Sequence, residues 1–167
     1  MSFELSRLRS GEWITGGAAL GLLVIFFFVP WYELTGFAKR AAQLTGQSTT
    51  INGYNEYTHL RWLIMVTIAV AFALVILQAT RRAPALPVSF SVFVTVLSGL
   101  TSLWLIYRVL IDVPSADGQL DQTIGAYLGL ASALVLTYGG YRSMREETGP
   151  DPERNAEIET VKVDQTS

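Results

Sequence analysis

Cysteine is absent from all 167 residues, which excludes disulfides, thiolate metal sites, iron–sulfur ligation and thiol nucleophiles together. Histidine occurs once, as His59, so a multi-histidine zinc site within one chain is excluded too. No cofactor and no metal is expected. Charge is scarce, at 16 % of residues, and no basic stripe exists to hold a nucleic acid. GxSxG, HExxH and DxD-type motifs are missing, so the nucleophile, base and orienting group of a hydrolase or transferase have no recognisable source.

What is present is apolar. Half of the residues are hydrophobic, gathered in four runs that each approach the ~20 residues a helix needs to cross a ~30 Å hydrocarbon core. The sequence reads as an all-α protein, a four-transmembrane-helix bundle with spans over about 13–32, 61–79, 88–112 and 123–141. Residues 1–12 form a polar lead and 13–144 the membrane domain. Residues 145–167 form an acidic, mostly disordered tail, because they hold too little apolar surface to offset their ordering entropy. The first run is longer than the apolar core of a signal peptide and is followed by bulky Pro30-Trp31-Tyr32. It reads as an uncleaved anchor, although Gly36 and Ala38 offer a small-x-small site.

The longest connection, residues 33–60, supplies a small cap. Apolar residues at 34, 37, 38, 41 and 44, with Lys39 and Arg40 opposite, fit a short helix on the bilayer surface or an ordinary loop turn. Thr45 to Thr58 reads as loop, or a marginal hairpin around Asn52-Gly53. Pro84 and Pro87 suit the first turn of the third helix. Pro114 and Asp117-Gly118 mark the last short connection.

Arginine and lysine divide unevenly between the two sides. Arg7, Arg9, Arg81, Arg82, Arg142, Arg145, Arg154 and Lys162 fall on one, and Lys39, Arg40 and Arg61, with Arg108 nearby, on the other. By the positive-inside rule both termini are cytoplasmic. Trp31, Tyr32, Trp62, Trp104, Tyr107 and Tyr127 then form an outer aromatic belt, and Trp13, Tyr138 and Tyr141 an inner one.

Lipid supplies no hydrophobic drive between helices, so small residues mark candidate seams. These are Gly17 and Gly21 in the first span, and Gly125, Gly129 and Ala133 in the fourth. In the third, Ser91, Thr95, Ser98, Gly99 and Ser102 share one stripe at ~100° per residue. The hydroxyls either pack against a neighbour or line a polar path.

Arg108 is the one full charge inside the third span before its terminal Asp112, turned by ~125° from that stripe. Three roles stand: a snorkelling side chain at the headgroups, an ion pair at the outer rim, or ligand binding. Its candidate partners are Asp112, Glu33, Glu56 and Asp121. Glu56 and His59 form the one cluster with acid–base character, and no span carries a carboxylate away from its ends, which argues against a proton-coupled carrier.

Pro30-Trp31-Tyr32, Arg82-Ala83-Pro84-Ala85-Leu86-Pro87, Tyr107-Arg108, Gly125-Ala126-Tyr127-Leu128-Gly129 and Gly139-Gly140-Tyr141-Arg142-Ser143-Met144-Arg145 are short distinctive stretches. Over roughly residues 10–147 the chain resembles a group of small four-span bacterial membrane proteins with no assigned activity. The resemblance implies fold and topology only; the expected location is a multi-pass place in the bacterial inner membrane. The topology is also similar to claudin-type proteins, whose loop pattern of tryptophan, paired cysteines and glycine-leucine-tryptophan is absent here. The expected function is a non-enzymatic membrane component that binds a membrane-protein partner or assembles with itself as a homo-oligomer within the lipid bilayer. A channel or transporter subunit is the alternative, and an integral-membrane enzyme the third reading.

Overall fold

The computed structural model describes residues 9–80, 89–113 and 118–148. The expected lead up to residue 8, the 81–88 turn, Pro114 to Asp117 and the tail from 149 lie outside the described residues. In chain order the elements are α1 (Ser10–Phe28), β1 (Pro30–Leu34), α2 (Gly36–Leu44), β2 (Thr50–Asn52), α3 (Gly53–Glu56), α4 (Leu60–Thr80), α5 (Ser89–Ile106), β3 (Leu120–Gln122) and α6 (Ile124–Thr148). A π-helical turn, Tyr107–Ile111, prolongs α5.

Among the described residues four helices are long and apolar enough to cross a membrane: α1, α4, α5 with its π-turn, and α6. At 1.5 Å per residue, the 21 residues of α4 span roughly 31 Å, close to the ~30 Å hydrocarbon core. The protein is a multi-pass membrane protein. Helix α1 packs on α6 and α4, and α5 packs on the same two, so the ring runs α1–α6–α5–α4. Trp13, Leu20, Trp62, Phe93, Leu103 and Leu134 point outward on the lipid-facing surface.

The seams lie within one chain. Cβ atoms added at Gly11, Gly139 and Gly140 would come within 2.5–2.9 Å of Ser143, Thr15 and Thr95, so these glycines let α1 and α5 approach α6. Gly16 faces Val75 across the α1–α4 contact. Gly21 lies 3.8 Å from Ser132 by the same measure, whereas Gly17 meets nothing within 4 Å. The expected Gly17–Gly21 seam is therefore corrected at Gly17 alone: Gly21 faces α6 at contact distance, while the close approach of α1 to α6 is made at Gly11 and Thr15.

Three further boundaries differ from the sequence reading. Helix α1 stops at Phe28 rather than residue 32, because Pro30 disfavours helical backbone at Val29, which is extended at φ −94° and ψ 132°. Helix α6 runs to Thr148, seven residues past the expected end, and carries an Arg142–Glu146 ion pair of 3.0 Å one turn apart. The cap is not purely helix and loop: it holds a three-stranded antiparallel sheet of order β2-β1-β3. Asn52-Gly53 does not turn a local hairpin; Asn52 ends β2 and accepts the Asn55 N–H at 3.1 Å, starting α3.

The connection at 36–44 is a helix, and its end is well defined. Gly46, at φ +69°, supplies the left-handed residue of a Schellman motif, with Gln47 N–H on the Ala42 carbonyl and Gly46 N–H on Gln43. Ala42 is buried, while Phe37 and Leu44 on the other flank are 87 % and 89 % exposed.

One residue fastens the cap to the bundle. Between Pro30 and Tyr32 the register of β1 against β2 slips by one, leaving Trp31 as a bulge. Strict alternation would send Trp31 and Tyr32 to opposite faces, yet both are wholly buried. Trp31 enters a slot whose walls are glycine: a Cβ on Gly129 would overlap its ring, and one on Gly53 would lie 2.8 Å from it. Its Nε1 donates at 3.0 Å to the Ile25 carbonyl in the last turn of α1, which also accepts Val29 N–H at 3.2 Å. These two aromatics are core and not belt, contrary to the sequence reading.

Gly129→Ala is expected to destabilise the protein by about 1–3 kcal/mol through overpacking. Gly17→Ala, in open space, should be neutral or slightly stabilising. Thermal unfolding of both variants in detergent checks this; equal shifts would show that the slot is not a constraint.

Candidate functional site

The cap end brings together most of the groups with chemical potential. Tyr32 on β1 and Tyr57 after α3 are buried, with their hydroxyls 2.6 Å apart. Arg108, in the π-turn, lies 5.7 Å from the centre of the Tyr57 ring and pairs with Asp112. The two partners belong to one turn of helix, and their side chains are 28 % and 50 % exposed, so this is a rim ion pair worth about 1 kcal/mol or less. The π-turn bends the chain here: Asp112 N–H reaches back to the Tyr107 carbonyl at 2.8 Å. The Val109 carbonyl receives the Gln122 side-chain amide at 3.2 Å, which ties β3 to the end of α5.

Burial is the first cause that raises the pKa of both tyrosines above the ordinary phenol value. The shared hydrogen bond splits them: it eases ionisation of Tyr32, with Tyr57 then donating, and opposes ionisation of Tyr57. Glu56 opposes both ionisations, whereas Arg108 favours them. The pair is therefore neutral and acts as a structural hydrogen bond across the cap at ordinary pH.

The candidate partners of Arg108 part company. Glu33 is taken by Lys39 at 2.6 Å, because the strand-to-helix corner folds Lys39 back over β1. Its expected pairing with Arg108 is corrected accordingly. Glu56 is half-buried and forms no ion pair among the described residues, and Asp121 is exposed on β3. His59 is exposed, and no group of three or more His, Asp or Glu residues able to hold a metal occurs among the described residues.

The hydroxyl stripe of α5 is enclosed. Ser91, Ser98 and Ser102 are buried, and Thr95 and Gly99 half-buried. Thr95 and Ser98 donate to the Ser91 and Thr95 carbonyls at 2.8 and 3.2 Å. Ser102 meets Thr137 of α6 at 3.0 Å, and Thr137 also donates to the Ala133 carbonyl at 3.0 Å. Thr101, outside the expected stripe, meets Thr67 of α4 at 2.7 Å. Thus α5 bonds to both neighbours through hydroxyls. On α6, Gly125 faces the Pro30 carbonyl, Gly129 the Trp31 ring, and Ala133 is buried.

Sequence reasoning missed Tyr32–Tyr57 and Thr67–Thr101. Neither pair has a spacing signal, since the partners lie 25 and 34 residues apart. Compared with protein-family models, curated proteins and solved structures, the chain matches none.

Tyr32→Phe or Tyr57→Phe alone is expected to cost about 1–3 kcal/mol by orphaning a buried hydroxyl, whereas the double variant should recover part of that loss. The folded pKa values are raised, so stability holds below about pH 10 and falls above it, as unfolded tyrosines release protons the folded pair keeps. Chemical unfolding from pH 7 to 11 tests this, with a flatter alkaline limb for the double variant.

Arg108→Ala should lower stability by about 1 kcal/mol, the scale of an exposed ion pair and one cation–π contact. Limited proteolysis should show the change in the cap rather than the bundle. Unchanged cap protection would leave Arg108 no pinning role.

Proposed function

We propose that the protein is a non-enzymatic component of a bacterial inner membrane, with both termini cytoplasmic, that works by binding a membrane-protein partner or a second copy of itself. The observation that carries this reading is where the polar groups are spent. Inside the bundle, Thr67, Thr101, Ser102 and Thr137 hydrogen-bond across helix seams. At the rim, Arg108 is engaged by Asp112 and Tyr57. The surface is where unsatisfied potential remains: among the described residues no strand lies beside the outer edges of β2 and β3, and Phe37 and Leu44 of α2 are exposed.

The alternative, a channel or transporter subunit, needs water along the α5 hydroxyls. Because the chain has no cysteine, single cysteines can be introduced at 95, 98 and 102 without background. Membrane-impermeant thiol reagents should leave all three unmodified, and modification along the whole stripe would favour a water path instead. Cysteines at 37 and 44 should give a defined cross-linked species in native membranes. A monomer without cross-links under several conditions would count against partner binding and self-assembly alike.

A further inference from the structure

At the end of the bundle opposite the cap, the last turns of α6 form a shallow groove of about 290 Å³ lined by Tyr138, Tyr141, Arg142, Arg145 and Glu146. We propose that this groove seats the phosphate of an anionic phospholipid headgroup. The inference is independent of the partner-binding reading and rests on charge, position and preorganisation.

Charge comes first. Two guanidinium groups and one carboxylate line the groove, a net of +1. The carboxylate is occupied: Glu146 accepts from the Ser10 hydroxyl, from Gly11 N–H at 3.2 Å and from Arg142 Nε at 3.0 Å. These partners include the first turn of α1, whose positive dipole end offsets the carboxylate charge. The ion pair engages the Nε–H of Arg142, one of five guanidinium donors. The Arg145 guanidinium forms no ion pair among the described residues and lies 5.9 Å from the centre of the Tyr141 ring. Arginine is suited to phosphate oxygens because its donors are planar and paired.

Position is the second argument. Tyr138 and Tyr141 are 55 % and 44 % exposed at the end of a membrane-spanning helix, where amphipathic rings settle at headgroup depth. Basic sites at that depth attract acidic lipids, each cation contributing through the negative surface potential of the leaflet. Preorganisation is the third. Glu146 fixes Arg142, Tyr141 supports Arg145, and the Arg9 guanidinium donates to the Glu146 carbonyl at 2.5 Å, so α1 and α6 hold the groove together.

The test uses the full chain in mild detergent, with native mass spectrometry during titration by phosphatidylglycerol or phosphatidylcholine. The expected result is saturable retention of phosphatidylglycerol, roughly tenfold over phosphatidylcholine. Replacing both arginines (Arg142→Gln with Arg145→Gln) should abolish that preference, and Arg145→Gln alone, on an exposed side chain, should reduce it even if the double variant folds poorly. Arg40→Gln removes one charge at the cap end and should change nothing. Equal loss in Arg40→Gln, or none in Arg145→Gln, would overturn the site in favour of diffuse attraction. Displacement of the lipid by millimolar inorganic phosphate would assign the groove to a soluble anion and overturn the lipid source.

Discussion

Trp31 is the contact on which the cap and the bundle both depend. Its indole occupies space that exists only because Gly129 and Gly53 have no side chains, and its N–H adds a second donor to the Ile25 carbonyl in the last turn of α1. A bulge in β1 aims the ring there, so strand pairing and helix packing are settled by the same residue. The neighbouring contacts follow from it. Gly125 admits the Pro30 carbonyl, Thr123 donates to the same carbonyl through its hydroxyl, and Thr123 N–H reaches the Trp31 carbonyl at 2.9 Å. The start of α6 is thereby held by the strand that ends α1.

The rest of the bundle solves a problem set by lipid. Apolar surface gains little by turning from hydrocarbon to another helix, so close backbone approach and hydroxyl bonds carry the association. Gly139 and Gly140 let α6 approach α1 and α5 on two sides, and Thr67–Thr101 and Ser102–Thr137 add hydrogen bonds of the kind that contribute about 0.6–2 kcal/mol in membranes. At the end away from the cap, Glu146 links the last turn of α6 to the first turn of α1. Both ends of the α1–α6 pair are therefore pinned, one by an aromatic ring in a glycine slot and one by a carboxylate at a helix N-terminus.

This distribution bears on function. The hydroxyls of α5, which by sequence also fit a polar path, hydrogen-bond across helix seams, and the rim arginine pairs locally. Such an interior supports the proposed reading of a component that binds a partner or a second copy of itself. Among the described residues, surfaces left with capacity include the sheet edges and α2 at the cap end, and the arginine groove at the other.

Length and hydropathy alone determined the four spans, because crossing hydrocarbon demands a continuous apolar helix whatever its neighbours are. Local spacing offered the Gly36–Leu44 helix only beside an ordinary loop turn, and it placed Asp112 one turn from Arg108, where the two pair. The small residues at 125 and 129 were visible as a seam, but their partner was not: they receive a strand and an indole rather than a facing helix. Trp31 and Tyr32 looked like belt residues because aromatic side chains at a span's end usually meet headgroups. Only strand pairing with segments near 51 and 121 created the bulge that turns both inward. The tyrosine pair, the Thr67–Thr101 bond and the loss of Glu33 to Lys39 were likewise decided in three dimensions. A one-dimensional pattern reports what each segment can bury, whereas the register between distant segments selects which surfaces meet.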